Sequence, residues 1–238
     1  MPDGVEWRTD VASQAFGESD MLVVEIANLG DPAIARTFTQ LGTTPGQPPL
    51  SDRVEPEERE AVIALLQSAE ADDDDFASTE SWAAALSLAS QARTGLPENG
   101  VDRALIAEAR ERGIGVYELE FFSEQLGLFD NLSEEAQSDM LYAVAKDAQA
   151  GTSDQLLEAW LSGDVDRMEQ LSEASLLANT EIRNSLLVQR NRAWVQPIHE
   201  LVDFGWKPFI AVGAAHLVGA DGIPALLEAR GYTVTRIQ

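Results

Sequence analysis

The stretch FIAVGAAHLVG, residues 209–219, decides the fold because it places a short apolar strand directly before a turn that carries a histidine. The apolar residues before Gly213 are typical of a buried strand. Gly213 and His216 form a Gly-x-x-His pattern, and Gly219 closes the turn. A histidine at the end of an apolar strand is either a packed structural residue or part of a site. The pattern alone leaves both interpretations open.

Other apolar stretches extend this strand into a fold. MLVVEIA (21–27), IGVYELE (114–120) and YTVTRI (232–237) predict strands, whereas residues 123–204 have apolar residues at helical spacing. We therefore expect a helix-rich α/β fold, with a small mixed β-sheet built from both chain ends and a central helical block. The whole chain, residues 1–238, is expected to form a single domain in which roughly residues 123–204 are a helical insertion.

Composition excludes several classes of function. The 238 residues include 41 acidic and 16 basic residues, for a net charge of -25. Such a charge repels nucleic-acid backbones and anionic lipid surfaces, so we expect neither nucleic acid nor membrane as a partner. The absence of cysteine removes disulfides, thiol nucleophiles and cysteine-based zinc sites. No apolar run is long enough to span a bilayer, and the chain as given is expected to be soluble.

Acidic residues accompany two of the predicted strands. Glu25 lies in the first strand, and Glu120 ends the second. A carboxylate in an apolar strand is costly to bury unless it is paired or binds a cation, although a side chain pointing outward at the strand end is an equally good interpretation. Together with His216, these carboxylates would form a ligand set for zinc, manganese or cobalt.

The segment QRNRAW adds a basic feature to this acidic chain. Arg190, Asn191 and Arg192 interrupt a helical pattern that is otherwise apolar and acidic, and this pair of arginines with an asparagine suggests anchoring of a carboxylate of the protein or of a substrate. An ion pair that holds this helix on the sheet is the structural alternative. His199 has aromatic and aliphatic neighbours and is expected to be structural.

Several common catalytic patterns are absent from the sequence. There is no Gly-x-Ser-x-Gly elbow, no phosphate-binding glycine loop, no dinucleotide-binding glycine pattern and no His-Glu-x-x-His zinc motif.

The C-terminal block RNRAWVQPIHELVDFGWKPFIAVGAAHLVGADGIPALLEARGYTVTRI resembles the end of the TraB/GumN family. GVDRALIAEARERGIGVYELEFFSEQLGLFDNLS and SDMLVVEIA are similar to its central pattern and its second strand, so the likeness spans nearly all of the chain. This family belongs with TIKI-type proteases and, more distantly, with erythromycin-esterase-like and haem-binding ChaN-like proteins. TIKI-type members are regarded as metal-dependent proteases with two Gly-x-x-His motifs and a glutamate.

The resemblance implies roles for individual residues. His216 matches the second Gly-x-x-His, and Glu25 matches the strand glutamate, so both are expected metal ligands. Glu120, Arg190 and Asn191 match further polar positions. The implied function is a metal-dependent hydrolase of the peptidase type, acting on a peptide or small-molecule substrate, in which a divalent cation (manganese, cobalt or zinc) activates water. Glu25 or Glu120 would be the general base.

The chain departs from the family pattern at its start, because the first Gly-x-x-His is absent. We expect that strand and its histidine to lie upstream of Met1, which would leave the chain truncated and inactive as given. An unpaired sheet edge would then favour a homo-oligomer. A signal peptide lost with the strand would imply a periplasmic or extracellular location. The alternative function is a non-catalytic protein that binds or sequesters a peptide or haem in the same crevice.

Overall fold

The computed structural model describes residues 1–92 and 95–237 and confirms the helix-rich α/β class. Its strands are β1 (Met21–Val24), β2 (Gly115–Glu118) and β3 (Pro208–Ala211), in the order β2-β1-β3. Both pairings of β1 are parallel. All three carboxyl ends therefore lie at the same edge of the sheet, which we call the carboxyl edge.

The described sheet is parallel and not mixed, because the predicted closing strand does not form. Residues 232–237 have no regular secondary structure. Val234 and Ile237 are 39% and 66% exposed, so the segment buries little of its apolar surface.

Helices make up most of the remaining chain. In order they are α1 (Asp10–Gly17), α2 (Pro32–Leu41), α3 (Arg59–Ser68), α4 (Ser81–Ala92), α5 (Val101–Arg112), α6 (Phe122–Asp130), α7 (Glu134–Ala150), α8 (Thr152–Ser162), α9 (Val165–Ala174), α10 (Thr180–Arg183), α11 (Gln189–Asp203) and α12 (Ile223–Glu228). Within the described residues, no helix combines the length and the apolar character needed to cross a membrane.

The described chain divides into two compact units. One contains the sheet and comprises residues 1–30, 95–122 and 187–237; the other is helical and comprises residues 31–92 and 123–186. α11, which lies within residues 123–204, belongs to the sheet unit. In the helical unit, the buried Trp82 contacts the rings of Phe38 and Phe129 at centroid distances of 5.3 and 6.0 Å.

The sheet is covered on both faces within its own unit, and strand alternation explains how. Leu22 and Val24 pack with α1 and α5, in a cluster that includes Phe16 and Leu105. Ile210 of β3 points to the other face, where it packs against α11 and α12. Successive side chains of a strand point to opposite faces, so a continuous apolar strand such as β1 suits a sheet buried on both sides.

The central strand should be the most sensitive part of this sheet to truncation. Leu22 is fully buried, so Leu22→Ala should lower the free energy of unfolding by about 2–5 kcal/mol, because it removes apolar contacts and leaves a cavity. Chemical denaturation followed by circular dichroism measures the change. The matched control is Leu161→Ala, whose side chain is 43% exposed and which should change stability by less than about 0.5 kcal/mol. Equal effects of the two substitutions would contradict the assigned core.

Candidate functional site

The predicted polar residues come together at the carboxyl edge of the sheet. Glu25 directly follows the last residue of β1, so it lies beyond the strand and not inside it. Glu120 lies two residues after β2, and His216 lies in a short 3-10 turn, Ala214–Leu217, after β3. Arg190 comes from the first turn of α11 and reaches the same place. Parallel sheets bind their ligands at this edge.

Arg190 is the centre of the cluster. Its Nε and Nη2 donate to the two carboxylate oxygens of Glu120 at 3.0 and 2.5 Å, a bidentate pair. Its Nη2 also donates to Oε2 of Glu25 at 2.6 Å. Its Nη1 lies 3.2 Å from Nε2 of His216. One guanidinium therefore connects residues that follow all three strands.

The guanidinium of Arg190 also packs against an aromatic ring. The guanidinium carbon lies 4.6 Å from the centre of the Trp194 ring, and the same ring lies 4.5 Å from the imidazole of His216. Trp194 is buried and follows Arg190 by four residues, so both lie on one face of α11. Sequence reasoning missed Trp194, although this i, i+4 spacing was available as a signal.

Asn191 determines which nitrogen of His216 carries the proton. Its Nδ2 donates to the backbone carbonyl of Asp221 at 2.8 Å, and a carbonyl can only accept. The amide oxygen of Asn191 therefore faces Nδ1 of His216 at 2.5 Å, which must be the protonated nitrogen. Nε2 is left as an acceptor and takes the hydrogen bond from Arg190. Asn191 is fully buried, so this arrangement is well shielded from water.

The imidazole is kept neutral by its surroundings. Burial lowers the pKa of His216 from 6.5 to about 4; the Glu25 carboxylate raises it and Arg190 lowers it further. Desolvation disfavours the charged form of a buried imidazole, which explains the direction. At neutral pH, His216 is therefore an uncharged hydrogen-bond acceptor at Nε2.

The motif glycines have different roles. The backbone N–H of Gly213 donates to Oε1 of Glu25 at 2.7 Å, and a Cβ at this position would lie 3.3 Å from that oxygen. The residue thus permits a close approach of the carboxylate to the backbone. Gly219 has a φ of 73°, in the left-handed region that favours glycine.

Other charged residues surround the cluster. Glu118 accepts hydrogen bonds from the backbone N–H groups of Ala27 and Asn28 and so holds the chain that follows Glu25. Partial burial and the negative charge of Glu25 raise the pKa of the Asp102 carboxyl, although Asp102 stays exposed as a residue. Sequence reasoning did not include Asp102, since only the packing of α5 on the sheet brings it near Glu25.

Arg192 and His199, which also belong to α11, lie outside the cluster. Arg192 has a side chain that is 68% exposed and lies 3.9 Å from Asp221. His199 contacts the hydroxyl of Tyr232 at 2.6 Å and a carboxylate oxygen of Asp203 at 3.5 Å. These contacts agree with the structural role expected for His199.

Fold and site together define a class: an α/β protein with an arginine-centred acid and histidine cluster at the carboxyl edge of a parallel sheet. The model of the TraB/PrgY/gumN family matches residues 1–236, and the chain belongs to this family. No curated protein and no solved structure matches the chain.

The family resemblance implies a divalent metal, and the cluster permits a direct test of that expectation. The neutral His216, with Nδ1 donating to Asn191, has the tautomer of a metal ligand. However, its Nε2 and both carboxylates already point at Arg190. In the described part of the chain, no group of three or more His, Asp or Glu side chains is placed to hold a metal ion. The residues present therefore do not fit a divalent metal while Arg190 remains in place.

The protonation state of His216 gives a prediction that needs no substrate. Because its pKa is about 4 when folded and 6.5 when unfolded, the unfolded chain binds the extra proton first as the pH falls. The stabilisation by neutral His216 should be complete above pH 6.5 and should be lost between pH 6.5 and 4, by about 3 kcal/mol. His216→Gln should show a correspondingly weaker loss of unfolding free energy over this interval.

Nitrogen NMR of the imidazole checks the same point directly. At pH 6 the His216 ring should be neutral and carry its proton on Nδ1. A charged ring, or the Nε2-protonated tautomer, would contradict the assigned orientation of Asn191.

Proposed function

We propose that the protein hydrolyses peptide bonds at this cluster, with Glu25 as the general base. The observation that carries the proposal is the convergence of an acid, an arginine and a neutral histidine within hydrogen-bond distance at the edge where such sheets bind ligands. Membership in the TraB/PrgY/gumN family agrees with the proposal, since the resemblance implied a peptidase-like hydrolase.

Differences in exposure favour Glu25 as the base. The Glu25 side chain is 23% exposed, against 9% for Glu120 and 7% for His216. Water and substrate can therefore reach Glu25 more readily than its neighbours. Glu120 is bound in a bidentate pair, which suits a residue that positions Arg190.

In this mechanism Glu25 transfers the proton and Arg190 stabilises the developing charge. Glu25 takes a proton from water as the water oxygen attacks the carbonyl carbon of the substrate. The positive charge of Arg190 opposes the negative charge that develops on the carbonyl oxygen. When the C–N bond breaks, the proton on Glu25 passes to the leaving nitrogen. His216 and Asn191 position the guanidinium through the Nη1 hydrogen bond.

A binding role is the second candidate, and one observation favours it. The carboxylates, guanidinium and imidazole form hydrogen bonds and ion pairs with one another. Such a network suits a site that recognises a peptide without cleaving it. A haem ligand is less favoured, because Nε2 of His216 accepts from Arg190 and its side chain is largely buried.

Glu25→Gln tests the catalytic proposal. It removes the proton acceptor but keeps the size of the side chain, so kcat/KM for peptide cleavage should fall at least about 100-fold. A library of internally quenched peptides, with products identified by mass spectrometry, measures cleavage. The matched control is Glu111→Gln, on the exposed C-terminal turn of α5, which should leave the rate unchanged.

Two results would overturn the catalytic role. One is cleavage by Glu25→Gln at the wild-type rate. The other is peptide binding by the wild-type protein, measured by calorimetry, with no cleavage of any bound peptide; this second result would support the binding role.

A further inference from the structure

The cluster already contains a cation, and it is a side chain. Arg190 contacts both carboxylates and the ring nitrogen that a divalent metal would use as ligands. We infer that Arg190 takes the place of a divalent metal in this site, and that the site works without one. The inference deepens the proposed function and rests on it where catalysis is concerned, but its statement about metal binding is independent of any activity.

The arginine cannot easily make room for a metal. A guanidinium is always protonated in proteins, so Arg190 cannot lose its charge to lower the repulsion of an incoming cation. Its side chain is 11% exposed, is held by three hydrogen bonds to carboxylates and lies against Trp194. A metal would have to break these contacts or bind within a few ångströms of a positive charge.

The donor geometry also differs from that of a metal. Nε and Nη2 of Arg190 donate to Glu120 in a bidentate pair. Nη2 also donates to Glu25, and Nη1 contacts His216. The planar guanidinium offers several donors in fixed directions, which matches two carboxylates and one imidazole acceptor. It supplies positive charge and orientation. It does not acidify a bound water, so proton removal falls to Glu25 in this site.

If Arg190 takes the place of a metal, its removal should create a metal site. Arg190→Ala should leave Glu25, Glu120 and the neutral Nε2 of His216 facing one space, which is a donor set for zinc after small side-chain rotations. The variant should therefore gain zinc affinity at least about tenfold over the wild type, because the competing cation is gone. Arg192→Ala, which removes an exposed arginine two residues away, should produce no gain.

The experiment must separate this site from the general attraction of cations to a chain with a net charge of -25. We would titrate Zn²⁺, and then Mn²⁺ and Co²⁺, while following the imidazole signals of His216, with His199 as the internal reference. In the wild type, His216 should not respond to stoichiometric metal. In Arg190→Ala it should shift at about one equivalent, and the gain should disappear when His216→Ala is added.

If Arg190→Ala does not fold, measurements on the wild type alone test whether the site holds a metal. Bound metal at about one equivalent after dialysis, with a shifted His216, would overturn it; so would peptide cleavage that chelators abolish and metal restores. A folded Arg190→Ala variant that gains no metal would also contradict it. If no peptide is cleaved, the proposed hydrolase fails while the metal titration still decides the role of Arg190.

Discussion

The site depends on one largely buried guanidinium, with its side chain 11% exposed, that balances two carboxylates. Glu25 and Glu120 both accept from Nη2 of Arg190, at 2.6 and 2.5 Å, so their oxygens lie no more than about 5 Å apart. Two ionised carboxylates at that distance repel each other strongly in a poorly solvated place. The arginine between them removes this repulsion. Loss of one partner would leave an uncompensated charge in a partly buried place, which is destabilising.

The same interaction links elements that are distant in sequence. Glu25 follows β1, Glu120 follows β2, and Gly213 and His216 follow β3, while Arg190 and Asn191 belong to α11. The hydrogen bonds of Arg190 therefore fix α11 against all three strand ends, and Asn191 continues the chain of contacts to the carbonyl of Asp221. The guanidinium of Arg190 and the imidazole of His216 both pack against the ring of Trp194, which limits how far either group can move.

Much of this arrangement could be predicted from the sequence, and the reasons are local. Strands β1 to β3 are short apolar runs, and their polar residues fall at the strand ends, where a parallel sheet collects them. The convergence of Glu25, Glu120 and His216 follows from that topology. The closing strand at residues 232–237 was predicted wrongly, since alternation indicates a strand only when a partner and apolar burial are available.

The sequence did not predict which of these side chains contact each other. The pattern of acids and histidine shows which groups are present and not which of them face each other. Arg190 was expected to anchor a carboxylate, but its simultaneous contact with two acids and Nε2 depends on the crossing of α11 over the sheet. The tautomer of His216 likewise depends on the carbonyl of Asp221, thirty residues from Asn191.

The central claim is that Arg190 and Glu120 are an energetically coupled, partly buried pair, and a double-mutant cycle measures the coupling most directly. The free energies of unfolding of the wild type, Arg190→Met, Glu120→Gln and the double variant give the coupling. Our account predicts a coupling of about 1–3 kcal/mol, with the double variant less destabilised than the sum of the single variants. Additivity within about 0.5 kcal/mol would contradict the account.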